Sequence, residues 1–296
     1  TLAERLSTAA DKGLYTPSRE HDACGVGFIA HMKGAKSHKI ISDGLQVLEN
    51  LTHRGAVGAD PRMGDGAGML VQMPHAFFAE EMEKAGTPIP EAGHYGVGFI
   101  FMPQDDALRA KCEEIVERVI VAEGEDLIGW RDVPVDNSSL SKAPDIAATE
   151  PVSRQVFIKR ARSEDQNEFE RRLYVLRKVI SNTVRAETDA VAKGFYIVSL
   201  SSRTIVYKGM FLAYQLGAYY ADLKDARFTS ALALVHQRFS TNTFPSWDLS
   251  HPYRMVAHNG EINTIRGNRN WKRARYGSMK SDRFGAELDK LFPILS

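Results

Sequence analysis

An α+β sandwich is the fold class that the sequence predicts, and three observations predict it. Apolar runs of strand length and amphipathic helical stretches arrive in mixed order, without the strict strand–helix alternation of a parallel sheet. Residues 195–200 and 204–207 are two such runs separated only by Ser201-Ser202-Arg203, the spacing of a hairpin. The 296 residues, 43% hydrophobic and 25% charged, form a core without disulfides or metals, as one large domain or two small ones.

Each element has its own justification. Residues 1–22 read as an extension, with one short helical pattern and then Gly13, Pro17 and a charged stretch. Residues 26–32 are a short apolar run of strand type. Ile41, Leu45 and Leu48 recur at helical spacing, in a helix that starts near Ser37 and ends before Gly55. Residues 54–68 are glycine-rich and read as loop. Residues 69–73 and 95–102 read as buried strands, and Leu108, Cys112, Ile115 and Val119 mark a helix in which Cys112 is a small core residue. Residues 131–153 are polar, hold three prolines and read as a surface excursion. A strand follows at 155–159, then a capping box of Ser163 with Gln166 opening a helix through Phe169, Leu173, Leu176 and Ile180. After the hairpin come strands at 232–236 and 255–258, each running straight into a polar motif.

Composition excludes several classes. With 38 basic and 37 acidic residues the net charge is +1, which gives no general attraction to nucleic acid or membrane. No apolar stretch approaches the roughly 18–20 residues that span a bilayer, and residues 1–20 lack the apolar block of a secretory signal. Two cysteines in a chain of this length fit a reducing cytoplasm better than a disulfide framework. The chain begins with Thr1 and ends on an apolar segment, as a piece of a longer polypeptide would.

Several motifs carry chemistry, and each has a bland reading beside it. Gly25 to Ala30 spells the dinucleotide fingerprint, but no strand precedes it and no helix opens on it. Gly64-Asp65-Gly66-Ala67-Gly68 lacks the Lys-Ser/Thr of a phosphate loop, which leaves a tight turn or a site lining. Cys24, flanked by Ala23 and Gly25, is either a buried structural cysteine or a sulfur that small neighbours leave open to a ligand. His236-Gln237-Arg238 runs into Phe239-Ser240-Thr241-Asn242-Thr243, where an arginine either holds a carboxylate through paired hydrogen bonds or is merely solvated. His258-Asn259-Gly260 is either an Asn-Gly turn or an oxyanion hole of one side-chain amide and one backbone N–H. The stretch from Arg266 to Arg275, five basic residues around Trp271, reads as a solvated face.

Together these motifs resemble one family. The runs Glu20 to Phe28, Leu51-Thr52-His53-Arg54-Gly55-Ala56, Gly64 to Gly68, Arg238 to Trp247 and His258 to Thr264, followed by Arg266 to Trp271, are similar to the glutaminase region of glutamate synthase large subunits. The resemblance covers the chain from about residue 14 to its end.

The resemblance implies a class II glutamine amidotransferase domain over residues 24–296, truncated at its C-terminus, with a propeptide at 1–23. It implies a four-layer αββα sandwich of the N-terminal nucleophile hydrolase type. Cys24, freed as the first residue, would attack the glutamine amide with its own α-amine as base. Asn259 and the N–H of Gly260 would hold the oxyanion. Arg238 would bind the α-carboxylate of L-glutamine within the loop of Ser240, Thr241 and Thr243, while Arg54 and Gly66 line the site. The aspartate that would hold the α-amino group falls beyond Ser296. This segment needs no metal and no cofactor of its own. FMN and an iron–sulfur cluster belong to synthase domains of the same polypeptide, with an NADPH-oxidising small subunit as partner and 2-oxoglutarate as ammonia acceptor. Two other readings are a different class II amidotransferase and an inert, unprocessed fragment that acts as an interaction module.

Overall fold

The computed structural model describes residues 25–58, 60–237, 245–258 and 264–294. Eight strands form two antiparallel four-stranded sheets. The first sheet has the order β1–β8–β2–β7, with β1 at Val26–Ala30, β2 at Ala67–Gln72, β7 at Thr204–Gly209 and β8 at Leu232–Gln237. The second has the order β4–β5–β3–β6, with β3 at Tyr95–Met102, β4 at Asp126–Asp132, β5 at Val152–Lys159 and β6 at Tyr196–Ser201.

Seven α-helices are present among the described residues: α1 at His38–Asn50, α2 at His75–Lys84, α3 at Asp106–Ala122, α4 at Pro144–Ala147, α5 at Gln166–Glu187, α6 at Ala213–Tyr219 and α7 at Ile265–Tyr276. Helices α1 and α6 pack with the first sheet, and α3 and α5 with the second. The result is the helix–sheet–sheet–helix layering expected of an α+β sandwich.

Burial follows the pattern of the sequence. Helix α1 turns Ile41, Gly44 and Leu48 inward. Gly44 and Gly27 let α1 lie close to the sheet, since a Cβ on either would overlap side chains of Met69 and Ala233 or of Val47. Gly27 therefore sits inside a strand and serves helix–sheet packing, not a dinucleotide loop. Cys112 is buried among Ile115, Val116 and Leu173, and burial raises its thiol to about 11. It is the small core residue the periodicity implied.

The sheets are joined by a buried polar network as well as by packing. Phe99 of β3 and Tyr207 of β7 meet edge to face at 4.9 Å. The Tyr207 hydroxyl donates to Asp222 at 2.7 Å and accepts from the Gln155 amide at 2.9 Å. Arg131 on β4 forms a two-pronged pair with Asp222 at 2.7 and 2.8 Å and also donates to Gln155. Every member has a partner, the condition under which buried charge is tolerated.

Four expectations need correction. The runs around Ser201-Ser202-Arg203 are consecutive strands but not a hairpin: β6 pairs with β3, and β7 pairs with β2. The short turn carries the chain from one sheet to the other. The 131–153 excursion contains the end of β4 and the start of β5, where the alternation of Trp130 and Arg131 was obscured by flanking prolines. Helix α5 is capped by Asp165, whose carboxylate accepts from the Glu168 N–H at 2.8 Å, and not by Ser163. Residues 255–258 form no strand; Met255 is 81% exposed.

Candidate active site

Seven of the nine residues expected at the site, Cys24, Arg238, Ser240, Thr241, Thr243, Asn259 and Gly260, lie outside the described residues, while Arg54 and Gly66 lie within them. The described chain neighbours of these residues converge at one end of the first sheet. Strand β1 begins there, directly after Gly25, and antiparallel β8 ends there at Gln237. The Gln237 N–H donates to the Gly25 carbonyl at 2.7 Å. Ala67, the residue after Gly66, is the register partner of Gln237 on β2. Gly55, the residue after Arg54, lies against the Gln237 side chain so closely that an added Cβ would overlap the amide nitrogen.

His258 reaches the same place by ring contacts. Its centroid lies 5.5 Å from that of His251, which lies 4.7 Å from that of His236 on β8. His236 is in turn the register partner of Val26 and Gly68. Thus the chain neighbours of Cys24, Arg54, Gly66, Arg238 and Asn259 are gathered around the β1–β8–β2 strand ends.

Glycine makes this gathering possible. Gly66 has φ +139°, a conformation that L side chains avoid. A Cβ on Gly64 would overlap the backbone of Phe211 and Leu212, and one on Gly68 would overlap the His251 carbonyl. Arg54 ends a 3₁₀ turn, Thr52–Arg54, and is half-buried. Its buried Nε finds no hydrogen-bond acceptor among the described residues, nor does the carboxamide of fully buried Gln237 find a partner there.

The electrostatics are unusual for a sheet end. Burial, then the nearby His236, Lys208 and His258, push the His251 imidazole down to about 3, so it is neutral at physiological pH. Lys208 on β7 is fully buried, which pushes its ammonium well below the ordinary lysine range. Neither Lys208 nor His251 stands in a motif that marks it in the sequence. Strand β7 runs on past Tyr207 through Lys208 to Gly209.

A cleft of about 890 Å³ opens nearby, lined by Met63, Tyr196, Met210, Trp247 and Asp248 among others. It touches the flanks of two motifs, but Gly25, Gly55, Gln237 and His258 do not line it. Helix α7 buries none of its residues, and Trp271 is 70% exposed, so the basic stretch is the solvated face its composition implied. Among the described residues there is no cluster of His, Cys, Asp or Glu that could hold a metal ion.

Comparison with known proteins shows the family. The profile of the class II glutamine amidotransferases matches residues 24–296, and the chain belongs to that family. The chain is 48% identical over 288 residues to the glutamate synthase [NADPH] large chain of Bacillus subtilis, covering 96% of this chain and 18% of that protein. It is 47% identical over 292 residues to glutamate synthase [NADH] of Schizosaccharomyces pombe, with 96% and 13% covered. It is 40% identical over 275 residues to the chloroplastic ferredoxin-dependent glutamate synthase 2 of Arabidopsis thaliana, with 93% and 17% covered. The chain thus spans less than a fifth of the length of these relatives, to whose amidotransferase region it corresponds.

Proposed function

We propose that this chain hydrolyses the side-chain amide of L-glutamine and delivers the ammonia to synthase domains of the same polypeptide, for glutamate synthesis from 2-oxoglutarate. The observation that carries the reading is the meeting of Gly25, Gly55, Ala67, Gln237 and His258 at one sheet end. A peptide bond spans only about 3.8 Å between Cα atoms. Cys24, Arg54, Gly66, Arg238 and Asn259 each adjoin one of these five residues in the chain, which supports assigning them to one site.

In this reading residues 1–23 are removed and Cys24 becomes the first residue. Its α-amine, with an ordinary pKa of about 8, accepts the thiol proton. The thiolate adds to the amide carbon, and the carbonyl electrons move to oxygen. The Asn259 side chain and the Gly260 N–H hold that oxyanion. As the tetrahedral adduct collapses, the C–N bond breaks and the proton on the α-amine passes to the departing ammonia. Water then hydrolyses the thioester and releases glutamate. Arg238 pairs with the substrate α-carboxylate inside the Ser240, Thr241 and Thr243 loop, and Arg54 and Gly66 line the cavity. No step here runs through flavin or iron–sulfur chemistry, which belongs to the synthase domains.

We read the whole enzyme as the NADPH-linked cytoplasmic type, with an NADPH-oxidising small subunit. The wording of the motifs supports this, although the matched relatives include NADPH, NADH and ferredoxin types. Comparing NADPH, NADH and reduced ferredoxin as donors to the full-length enzyme decides it.

Labelling with an electrophilic glutamine analogue tests the glutaminase reading. Covalent modification of Cys24 that L-glutamine blocks is the expected result. Labelling that glutamine leaves unchanged, or that falls elsewhere, contradicts it.

A further inference from the structure

Segment 245–258 lies in the chain between the run of Arg238 to Thr243 and Asn259-Gly260. Its first part is packed into the core: Trp247 is 8% exposed, with its ring 5.2 Å from Phe211 and 5.8 Å from both Phe101 and Tyr219. The second part is held by hydrogen bonds from one buried side chain. Lys208 Nζ donates to the carbonyl oxygens of Asp248 and Ser250, each at 2.7 Å. The same ammonium lies 4.4 Å from the Tyr253 ring centroid and 4.9 Å from that of Tyr196.

Lys208 is the register partner of Gly68, whose missing side chain makes room for the His251 carbonyl. Further along, Arg254 donates to Glu170 on α5 at 2.8 Å, and Glu170 also accepts from the hydroxyls of Ser201 and Ser202. Mutual bonds between Tyr253 and Val256, and the ring contact of His251 with His258, carry this fixation to the residue before Asn259.

We propose that Lys208 is a positioning residue for the oxyanion-binding loop: its buried ammonium, with the Arg254–Glu170 pair as a second clamp, holds the segment that presents Asn259 and Gly260. A buried lysine costs desolvation that a methionine of similar shape would avoid. Spending it on two main-chain carbonyls, and not on a carboxylate, fixes the backbone at Asp248 and Ser250, within the segment that precedes Asn259 in the chain. Because Trp247 keeps its own packing on Phe211, Phe101 and Tyr219, loss of Lys208 falls on oxyanion stabilisation more than on carboxylate binding. This inference rests on the glutaminase reading above.

The test compares wild-type full-length protein with Lys208→Met and Arg254→Met, each first confirmed as folded by its thermal melt. Displacement of oxyanion donors by even about 1 Å can cost up to about 100-fold in rate. We expect kcat for glutamine to fall at least about tenfold, while KM and the rate of Cys24 alkylation by iodoacetamide, which forms no oxyanion, stay within about twofold of wild type. Should Lys208→Met not fold, Arg254→Met carries the same expectation for the shared segment. An unchanged kcat in a folded variant overturns the proposal, as does an equal fall in kcat and iodoacetamide alkylation. Absence of glutamine-protected Cys24 labelling in the wild type would instead overturn the glutaminase reading itself.

Discussion

The backbone N–H of Gln237 donates to the carbonyl oxygen of Gly25 at 2.7 Å, closing the antiparallel β1–β8 ladder at the end where the two strands meet their motifs. One residue before Gly25 is Cys24; one residue after Gln237 is Arg238. Gly25 and Gln237, 212 positions apart in the chain, are so brought side by side by a single ladder rung. The roles proposed for Cys24 as nucleophile and Arg238 as carboxylate anchor are ones that kinetics can separate.

Asn259→Ala should lower kcat by about 10²–10³-fold, the usual cost of one oxyanion donor, and move KM far less. Arg238→Met should do the opposite, raising KM by about 10- to 100-fold for a charged hydrogen-bonded pair worth roughly 1.5–3 kcal/mol. Steady-state glutaminase kinetics on both variants check the assignment. A pure KM effect at Asn259 would count against an oxyanion role.

Gly68→Ala places a methyl against the His251 carbonyl, a backbone atom that cannot swing away. Overpacking of this kind costs about 1–3 kcal/mol. Urea denaturation should show that loss, and glutaminase activity should fall with it because segment 245–258 must lift from β2. Retention of both would show that the segment relaxes freely.

Arg131→Met leaves Asp222 buried without its cation, since the two side chains are only 10% and 3% exposed. Such a change costs about 3–5 kcal/mol. Tyr207→Phe removes only the neutral member that bridges Asp222 and Gln155, and should cost about 1–3 kcal/mol. Chemical denaturation gives both values. Their order, Arg131 above Tyr207, is the part most exposed to contradiction.

His251 is held neutral in the folded protein down to about 3, against an ordinary 6.5. Between those values the unfolded chain binds a proton that the folded chain does not, so stability falls as pH drops from about 6.5 towards about 3. His251→Gln should flatten that slope by up to one proton. Urea midpoints measured from pH 7 to pH 4 on both proteins test this, and parallel curves would assign the acid sensitivity elsewhere.

Much of the fold was legible because burial imposes a period. Tyr95–Met102 is buried throughout, and the reading placed that strand with its observed bounds. The spacing of Ile41, Leu45 and Leu48 found α1 because one face of that helix packs on the sheet. What failed depends on contacts distant in sequence. Whether β6 and β7 pair with each other or with β3 and β2 is decided by partners about 100 residues or more away. Helix α6 escaped notice because only seven residues, Ala213–Tyr219, carry its pattern. At the site, the motif residues stood out by their glycines and by an Arg or Asn following an apolar run. Lys208, Glu170 and Arg254 gave no such sign, since their partners are main-chain carbonyls or residues on other elements.

The central claim is that Cys24 acts as an N-terminal nucleophile with its own α-amine as base. The most direct measurement is the N-terminal sequence and intact mass of the purified protein, taken alongside its glutaminase activity. The account predicts an active form that begins Cys-Gly-Val-Gly-Phe and an inactive form in which Ala23 is still joined to Cys24. Glutaminase activity in a homogeneous preparation that retains the Ala23–Cys24 peptide bond would contradict it, because the nitrogen that must accept the proton would be an amide.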